Sequence, residues 1–345
     1  MDILLTATLN RSLFVNGLNQ NIIFFAEMLK DMGHNVCISV DHNVEDCIDP
    51  PLGILIMEQD EINDYTFDYI LHTGSPLKDE TITKAKERNP KLKNIHFHYG
   101  NRLTTDIEQC TSETAHALSN YLVDEVWISP HYAFSIPYLQ TYYKTETVVL
   151  APYIWAPKYM EGVRQYSPED EKNIAITEPN ISFTKNCLLP IYLTEKVFVK
   201  DPSSFNRLHV HCSYQFKDKT MFISLMRKLT MESAGKMRFA ARNLMKDILD
   251  MSNVLVSHQL YNGLNYTYLE ALYLGIPIIH NSKYIKDAGY YFPTFDINKG
   301  AEQLHKALLK HDESLESYKL AGKKVIERFS PDNPSVRSRY QSLFQ

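Results

Sequence analysis

The sequence predicts an α/β protein made of two doubly wound, Rossmann-like domains facing each other across a cleft. Three observations carry that expectation. Short apolar runs alternate with helix-period segments from the first residues onward. The alternation breaks once, near the midpoint, and restarts. The chain of 345 residues is longer than one core usually fills and comfortable for two.

In order, Ile3–Thr8 reads as an apolar strand, followed by the polar loop Asn10–Gln20. Asn21–Met32 places Ile22, Phe25, Ala26 and Leu29 on one helical face, Gly33 stops it, and Asn35–Val40 resumes as a buried strand. Such a strand-helix-strand unit implies a parallel crossover. Further strands follow at Asp68–His72, Asn94–His98, Glu125–Ser129 and Thr147–Ala151, with a helix over Lys78–Arg88. The stretch 151–172, APYIWAPKYMEGVRQYSPEDEK, is proline-bearing and then charged, as domain boundaries are. Beyond it come strands at 173–179 (NIAITEP), Arg207–His211, 253–259 (NVLVSHQ) and 276–281 (IPIIHN). Helices fall at Cys187–Val197, Lys219–Leu229, 267–275 and over Glu302–Phe329. The expected domains are 1–155 and 172–330, with 331–345 as a tail able to pack back on the first.

A net charge of −5 is unlike proteins that rely on broad contact with phosphate backbones, although a local basic patch can coexist with an acidic whole. The opening MDILLTATLN turns polar too soon for a signal peptide, and no run approaches the ~18–20 apolar residues of a membrane span. The expected address is the cytoplasm. Five scattered cysteines without a C-x-x-C pair exclude a zinc ribbon and read as buried free thiols.

Four segments carry candidate chemistry. In the first loop, Asn16, Gly17 and Asn19 sit between a strand end and a helix start, where amides can face an anion; an ordinary turn is the competing reading. No G-x-G-x-x-G is present, so a dinucleotide fingerprint is absent. In NIHFHYGNR, His96 and His98 share one face at a strand's C-terminal end, with Asn101 just beyond. A histidine there can take a proton from an acceptor hydroxyl, donate a hydrogen bond to the sugar, or be a satisfied core residue; the spacing fits two metal ligands and offers no third. In EPNISFTKN, a strand end delivers Asn180, Ser182, Thr184 and Lys185 before a helix, a set suited to a diphosphate or to simple capping. The fourth segment is VSHQLYNGLNYTYLEALYLGIPIIHNS. His258 ends a strand, Asn262, Gly263, Leu264 and Asn265 open a helix, and Glu270 lies just over two turns on, able to accept hydrogen bonds from both ribose hydroxyls.

This fourth segment resembles the donor-binding motif of GT-B glycosyltransferases, E-G-F-G-x-x-x-x-E followed by G-x-P, which stands here as N-G-L-N-Y-T-Y-L-E and then G-I-P. The resemblance implies a nucleotide-sugar donor, with UDP as the expected carrier. It places Glu270 on the ribose, Lys185 on the diphosphate, and the first domain on the acceptor side. Asn262 replaces the first acidic residue of the motif, which leaves retention or inversion open. The phrases EPNISFTKNCLLP, VSHQLYNGLNYTYLEALYLGIPIIHNS and DAGYYFPTFDINKGAEQL look like an uncharacterised bacterial and phage family allied to these enzymes. No cofactor or metal is expected, since the nucleotide sugar is itself a substrate and no D-x-D pair is present.

Two acceptors compete. One is a surface polysaccharide or lipid-linked glycan. The other, toward which the compact chain, the lack of a basic amphipathic membrane-binding helix and the Lys/Asn/Ile/Tyr-rich composition lean, is 5-hydroxymethylcytosine in phage DNA, a role known among GT-B enzymes of T-even-type phages, for which Lys84, Lys86, Arg88, Lys91 and Lys93 form a candidate basic face. A nucleotide-sugar epimerase and a non-catalytic nucleotide-sugar binder of the same fold are the remaining alternatives.

Overall fold

Seven parallel strands form the first sheet of the computed structural model, which describes residues 1–9, 17–47, 53–110, 122–169 and 171–345. They are β1 (Asp2–Ala7), β2 (Asn35–Val40), β3 (Leu55–Glu58), β4 (Tyr69–His72), β5 (Lys93–His98), β6 (Glu125–Ile128) and β7 (Val148–Leu150), in the order β3-β2-β1-β4-β5-β6-β7. Helices α1 (Gly17–Asp31), α2 (Asp79–Arg88), α3 (Arg102–Gln109) and α4 (Ile136–Tyr143) accompany them. The second sheet contains β8 (Asn173–Ile176), β9 (Arg207–Val210), β10 (Met237–Phe239), β11 (Val254–Val256), β12 (Ile278–His280) and β13 (Tyr290–Tyr291), ordered β10-β9-β8-β11-β12-β13, again all parallel. Its helices are α5 (Leu188–Lys200), α6 (Thr220–Met226), α7 (Thr230–Ser233), α8 (Met245–Leu249), α9 (Tyr266–Leu274), α10 (Ile297–Lys310) and α11 (Leu315–Glu327). In both sheets the strand order reverses beside the first strand, at β1/β4 and at β8/β11. Such reversals open a crevice at the strands' C-terminal ends.

Strands β3, β10 and β13 have no counterpart in the sequence-based expectation. All three are sheet edges, and β10 and β13 hold three and two residues, too few to show a period. Helix α1 starts at Gly17 rather than near Asn21, because its first turn buries Asn19, Gln20 and Asn21, polar residues that apolar periodicity does not count.

Contacts divide the chain into one unit of Met1–Ala156 with Phe329–Gln345, and another of Pro157–Arg328. Helix α12 (Pro334–Leu343) therefore belongs to the first unit. The Tyr340 ring lies 5.0 Å from Phe25 and its hydroxyl donates to Pro152 O at 2.7 Å, while Phe344 meets Trp127 at 5.2 Å. The charged stretch read as a boundary is docked on the second unit. Tyr166 N donates to Leu274 O at 2.8 Å, and Lys172 Nζ pairs with Asp312 Oδ2 at 2.8 Å. All five cysteines are free, but only Cys187 is buried; Cys110 is exposed, and the expectation of buried thiols fails for the others. No helix among the described residues is long and apolar enough to cross a membrane.

At the first reversal, the chain leaving β4 runs against β1. Thr73 Oγ1 donates to Thr6 O at 2.6 Å, and a Cβ on Gly74 would stand 3.0 Å from Ala7 Cα and 3.3 Å from Thr6 O and Thr8 N. Those atoms are backbone of a central strand and cannot step aside cheaply. Gly74→Ala should lower stability by about 1–3 kcal/mol, read as a shift in urea midpoint; an unchanged midpoint would show that β1 and β4 can part.

Candidate functional site

The second reversal gathers most of the sequence-predicted residues. The loops leaving β8 and β11 are joined by an isolated bridge between Lys185 and Gln259, and Leu260 N donates to Thr184 O at 2.8 Å. Beneath that junction lies Glu178, 1% exposed. One carboxyl oxygen accepts the Ser257 hydroxyl and, at 3.1 Å, the His258 amide; the other accepts Gln259 Nε2 at 3.0 Å. Burial pushes this carboxyl up to about 7, although the hydrogen bonds and the charge of Lys185 all favour its ionised form. Sequence reasoning passes over Glu178 as the end of a strand. Its signal is an acidic residue directly after an apolar strand, at the C-terminal edge where crevices open.

In the β8 loop, Asn180 takes a left-handed backbone (φ 55°). Its Oδ1 accepts the Cys187 amide at 2.8 Å, and its Nδ2 donates to the carbonyls of Glu178 (3.0 Å) and Cys212 (3.2 Å). Both ends of the amide are thus committed within the protein, so Asn180 shapes the loop. Ser182 and Thr184 bond to each other through their hydroxyls at 2.7 Å, and neither caps α5, whose N-cap Cys187 carries no side-chain cap bond.

After β11, Asn265 caps α9 by accepting the Tyr268 amide at 3.1 Å. Asn262 is 4% exposed and donates its Nδ2 to Gln259 Oε1. Gly263 accepts the Ser282 hydroxyl at its carbonyl, and a Cβ there would meet the Tyr284 ring at 2.8 Å. Leu264 points into the core at 4% exposure, leaving only its backbone for a ligand. The His258 ring lies 6.2 Å from Phe292 and 5.6 Å from Phe295, and its sealed Nε2 has no partner among the described residues. Burial lowers it to about 4, so it is neutral at pH 7. Glu270 is 8% exposed on α9, makes no hydrogen bond or ion pair among the described residues, and is pushed up to about 7 by burial alone. The turn at Gly275-Ile276-Pro277 is clamped from α11, where the Tyr318 hydroxyl donates to Ile276 O at 2.7 Å and accepts Ile278 N at 3.1 Å.

Backbone strain collects on the same edge. Of the five non-glycine residues with positive φ among those described, Asn180, Cys212, Tyr261 and Phe295 all lie on loops after strands of the second sheet. Strain of this kind persists where the surroundings hold it, and it concentrates at ligand sites. Phe183, Tyr261 and Phe295 are also exposed, offering ring faces on which a base or sugar can stack.

The remaining predicted residues lie in the first unit. His98 is half-buried, and its Nε2 hydrogen-bonds the Tyr143 hydroxyl at 2.9 Å; burial, reinforced by Arg102, lowers it to about 3. A ring held so low is neutral at pH 7, with Nε2 engaged by Tyr143. His96 is 1% exposed, its Nε2 is sealed without a partner among the described residues, and its ring packs 4.4 Å from that of His72. Asn101 caps α3 by accepting Thr104 N at 3.1 Å. Gly17 opens α1 and Asn19 is buried in its first turn; Asn16 lies outside the described residues. No group of three or more side chains able to hold a metal forms among the described residues.

Comparison with known proteins places this geometry. The chain matches the family model described as "Protein of unknown function (DUF2827)" over residues 3–344, and it belongs to that family. No curated protein sequence matches it. Among solved structures, it resembles a glycosyltransferase from Rickettsia africae ESF-5 (TM-score 0.64, 12% identity, 99% of this chain and 97% of that one). It also resembles a TarM variant from S. aureus in complex with fondaparinux, alpha-GlcNAc-glycerol and UDP (TM-score 0.63, 11% identity, 100% and 99%). A third is the pneumococcal O-GlcNAc transferase GtfA in complex with UDP and GlcNAc (TM-score 0.58, 8% identity, 100% and 98%). The two parallel sheets of seven and six strands are those of the GT-B fold.

The isolated carboxyl of Glu270 makes stability depend on pH. Its folded-state value of about 7 lies above the ordinary 4.5, so the protonated form is favoured on folding. Stability is therefore full below about 4.5 and is lost as pH rises through about 7. Glu270→Gln removes that loss: without ligand, the variant should exceed the native protein by on the order of 2 kcal/mol at pH 8 and match it near pH 4.5. Denaturant titrations across that range measure the difference; a pH-independent gap would mean that Glu270 is better solvated than its position implies.

Proposed function

We propose that this member of the family is a glycosyltransferase that takes a sugar from a nucleoside diphosphate, with UDP the first nucleotide to test, and transfers it to a hydroxyl of a glycan. The observation that carries the proposal is Glu270. A buried carboxyl with no partner among the described residues is costly, and ligand donors would offset that cost. Adjacent ribose hydroxyls supply two such donors, as the resemblance of NGLNYTYLE to the donor motif suggests. The TarM and GtfA structures named above were both determined with UDP, which makes that nucleotide the natural probe.

On this proposal, Lys185 and the strained loops after β8 and β11 receive the diphosphate. Asn262, standing where the motif has its first acidic residue, lies toward the transferred sugar. Rate enhancement comes from holding donor and acceptor in line and from stabilising the negative charge that gathers on the departing diphosphate. The chain's own groups supply the compensating positive potential, so transfer proceeds without a resident metal and a chelator leaves the rate unchanged. The glycan is preferred over modified DNA because the candidate basic face is largely engaged. Lys84 pairs with Glu80, Lys86 with Asp124 and Lys93 with Glu125, while Arg88 donates to the carbonyls of Ile62 and Tyr65.

Mass detection of product from a panel of nucleotide sugars, offered with glycan acceptors or with hydroxymethylated DNA, tests the proposal. Product on DNA alone replaces the acceptor, free sugar-nucleotide isomers without acceptor indicate an epimerase, and binding without turnover indicates a non-catalytic role. Glu270→Ala should weaken UDP binding by about 1.5–3 kcal/mol, the scale of hydrogen bonds to a charged group, measured by calorimetry. Lys185→Ala should reduce kcat more than donor affinity, because charge builds on the leaving group in the transition state. An unaltered kcat returns that lysine to the surface.

A further inference from the structure

Glu178, Gln259 and Asn262 form a chain of hydrogen bonds whose direction is fixed from one end. Glu178 is buried and receives three donors: the Ser257 hydroxyl, the His258 amide and Gln259 Nε2. Above its value of about 7 the carboxyl is ionised, and a carboxylate only accepts. Gln259 must therefore turn its NH2 toward Glu178 and its Oε1 away, and that Oε1 receives Asn262 Nδ2. Asn262 in turn carries its Oδ1 on the side away from Gln259. We propose that Glu178 is a positioning residue that acts through Gln259 to set the polarity of the Asn262 amide, so that an acceptor oxygen, and not an NH2, is presented to the donor sugar. The polarity relay does for an amide what a carboxylate at position 262 would do unaided. Assigning the sugar as its ligand rests on the function proposed above; the relay itself does not.

The relay makes an unusual double-variant prediction. In Glu178→Gln, the oxygen must stay on Ser257 and His258, so the new NH2 faces Gln259. Gln259 then reverses, Asn262 reverses after it, and an NH2 takes the place of the presented oxygen. In Asn262→Asp alone, a carboxylate oxygen opposes Gln259 Oε1, acceptor against acceptor. Combined, the two substitutions match again. The new amide at position 178 donates to Gln259, Gln259 donates to the new carboxylate at position 262, and an acceptor oxygen is presented once more.

The experiment is a double-variant cycle at about pH 8.5, above the Glu178 value of about 7. It is read by thermal melting without ligand and by UDP-sugar affinity. Asn262→Asp should lower Tm by roughly 3 °C or more in the native background and by much less beside Glu178→Gln. Each single variant should bind the UDP-sugar about tenfold more weakly, with the pair restored to within about threefold. A third substitution, Gln259→Leu, separates the relay from simple repulsion between two carboxylates. The coupling in Tm should vanish with it; additive effects, or a coupling that survives the loss of Gln259, would overturn the relay. A coupled Tm with no recovery of affinity in the pair would overturn the assignment of the presented oxygen to the sugar. If the native protein binds no nucleotide sugar, the proposed function falls, and the melting cycle still decides the relay.

Discussion

Strands β8 and β11 are neighbours in the sheet but far apart in sequence, and the chain leaves their ends on separate courses. Something must tie those departing loops together if a ligand is to meet them as one surface. Glu178 does this with a single carboxyl, accepting from the residues that follow β11 while its own backbone belongs to the loop after β8. The bridge from Lys185 to Gln259 closes the junction above it. A neutral apolar residue in its place would fill the volume and leave the His258 amide and the Gln259 side-chain amide without this acceptor. The second unit thus tolerates a buried, hard-to-ionise group and gains a defined rim.

The two buried carboxyls of this unit have opposite relations to the protein. Glu178 receives three protein donors, whereas Glu270 has none among the described residues, although burial raises both to about 7. One is a fixture of the fold, and the other keeps its acceptor oxygens uncommitted. Similar logic separates the histidines of the first unit. His72 uses both ring nitrogens, on Asn94 and on the Leu77 amide, while the neighbouring His96 leaves one sealed nitrogen unpartnered among the described residues.

The sheets' central strands are legible in the sequence because burial on both faces leaves continuous apolar runs, as in Ile3–Ala7 and Ile174–Ile176. Edge strands β10 and β13 are not, being too short to display any pattern. The site divides along a different line. Glu270 stands out by its spacing from Asn262 and its place on an apolar helix. Asn180 and Asn265 look like ligand groups in the sequence, and the structure shows a second task for each, one turning a loop and the other capping α9. Sequence supplies the type of group at a position, and an amide at a loop edge suits either task. Glu178 and Gln259 escape notice because their importance lies in partners about eighty residues apart, a relation that no local pattern contains.

The return of residues 329–345 to the first unit has a consequence for how the molecule is made. Tyr340 and Phe344 complete the apolar layer against Phe25 and Trp127, so the opening 156 residues cannot finish their own core. The second unit is topologically an insertion, entered after Ala156 and left before Phe329. During vectorial synthesis its whole sequence emerges before the helix that closes its host. The insert can reach its native state on the ribosome while the host waits, half-built, for its last helix. Any premature stop shortly before that helix would release a finished second unit joined to a host with its aromatic seam open to water.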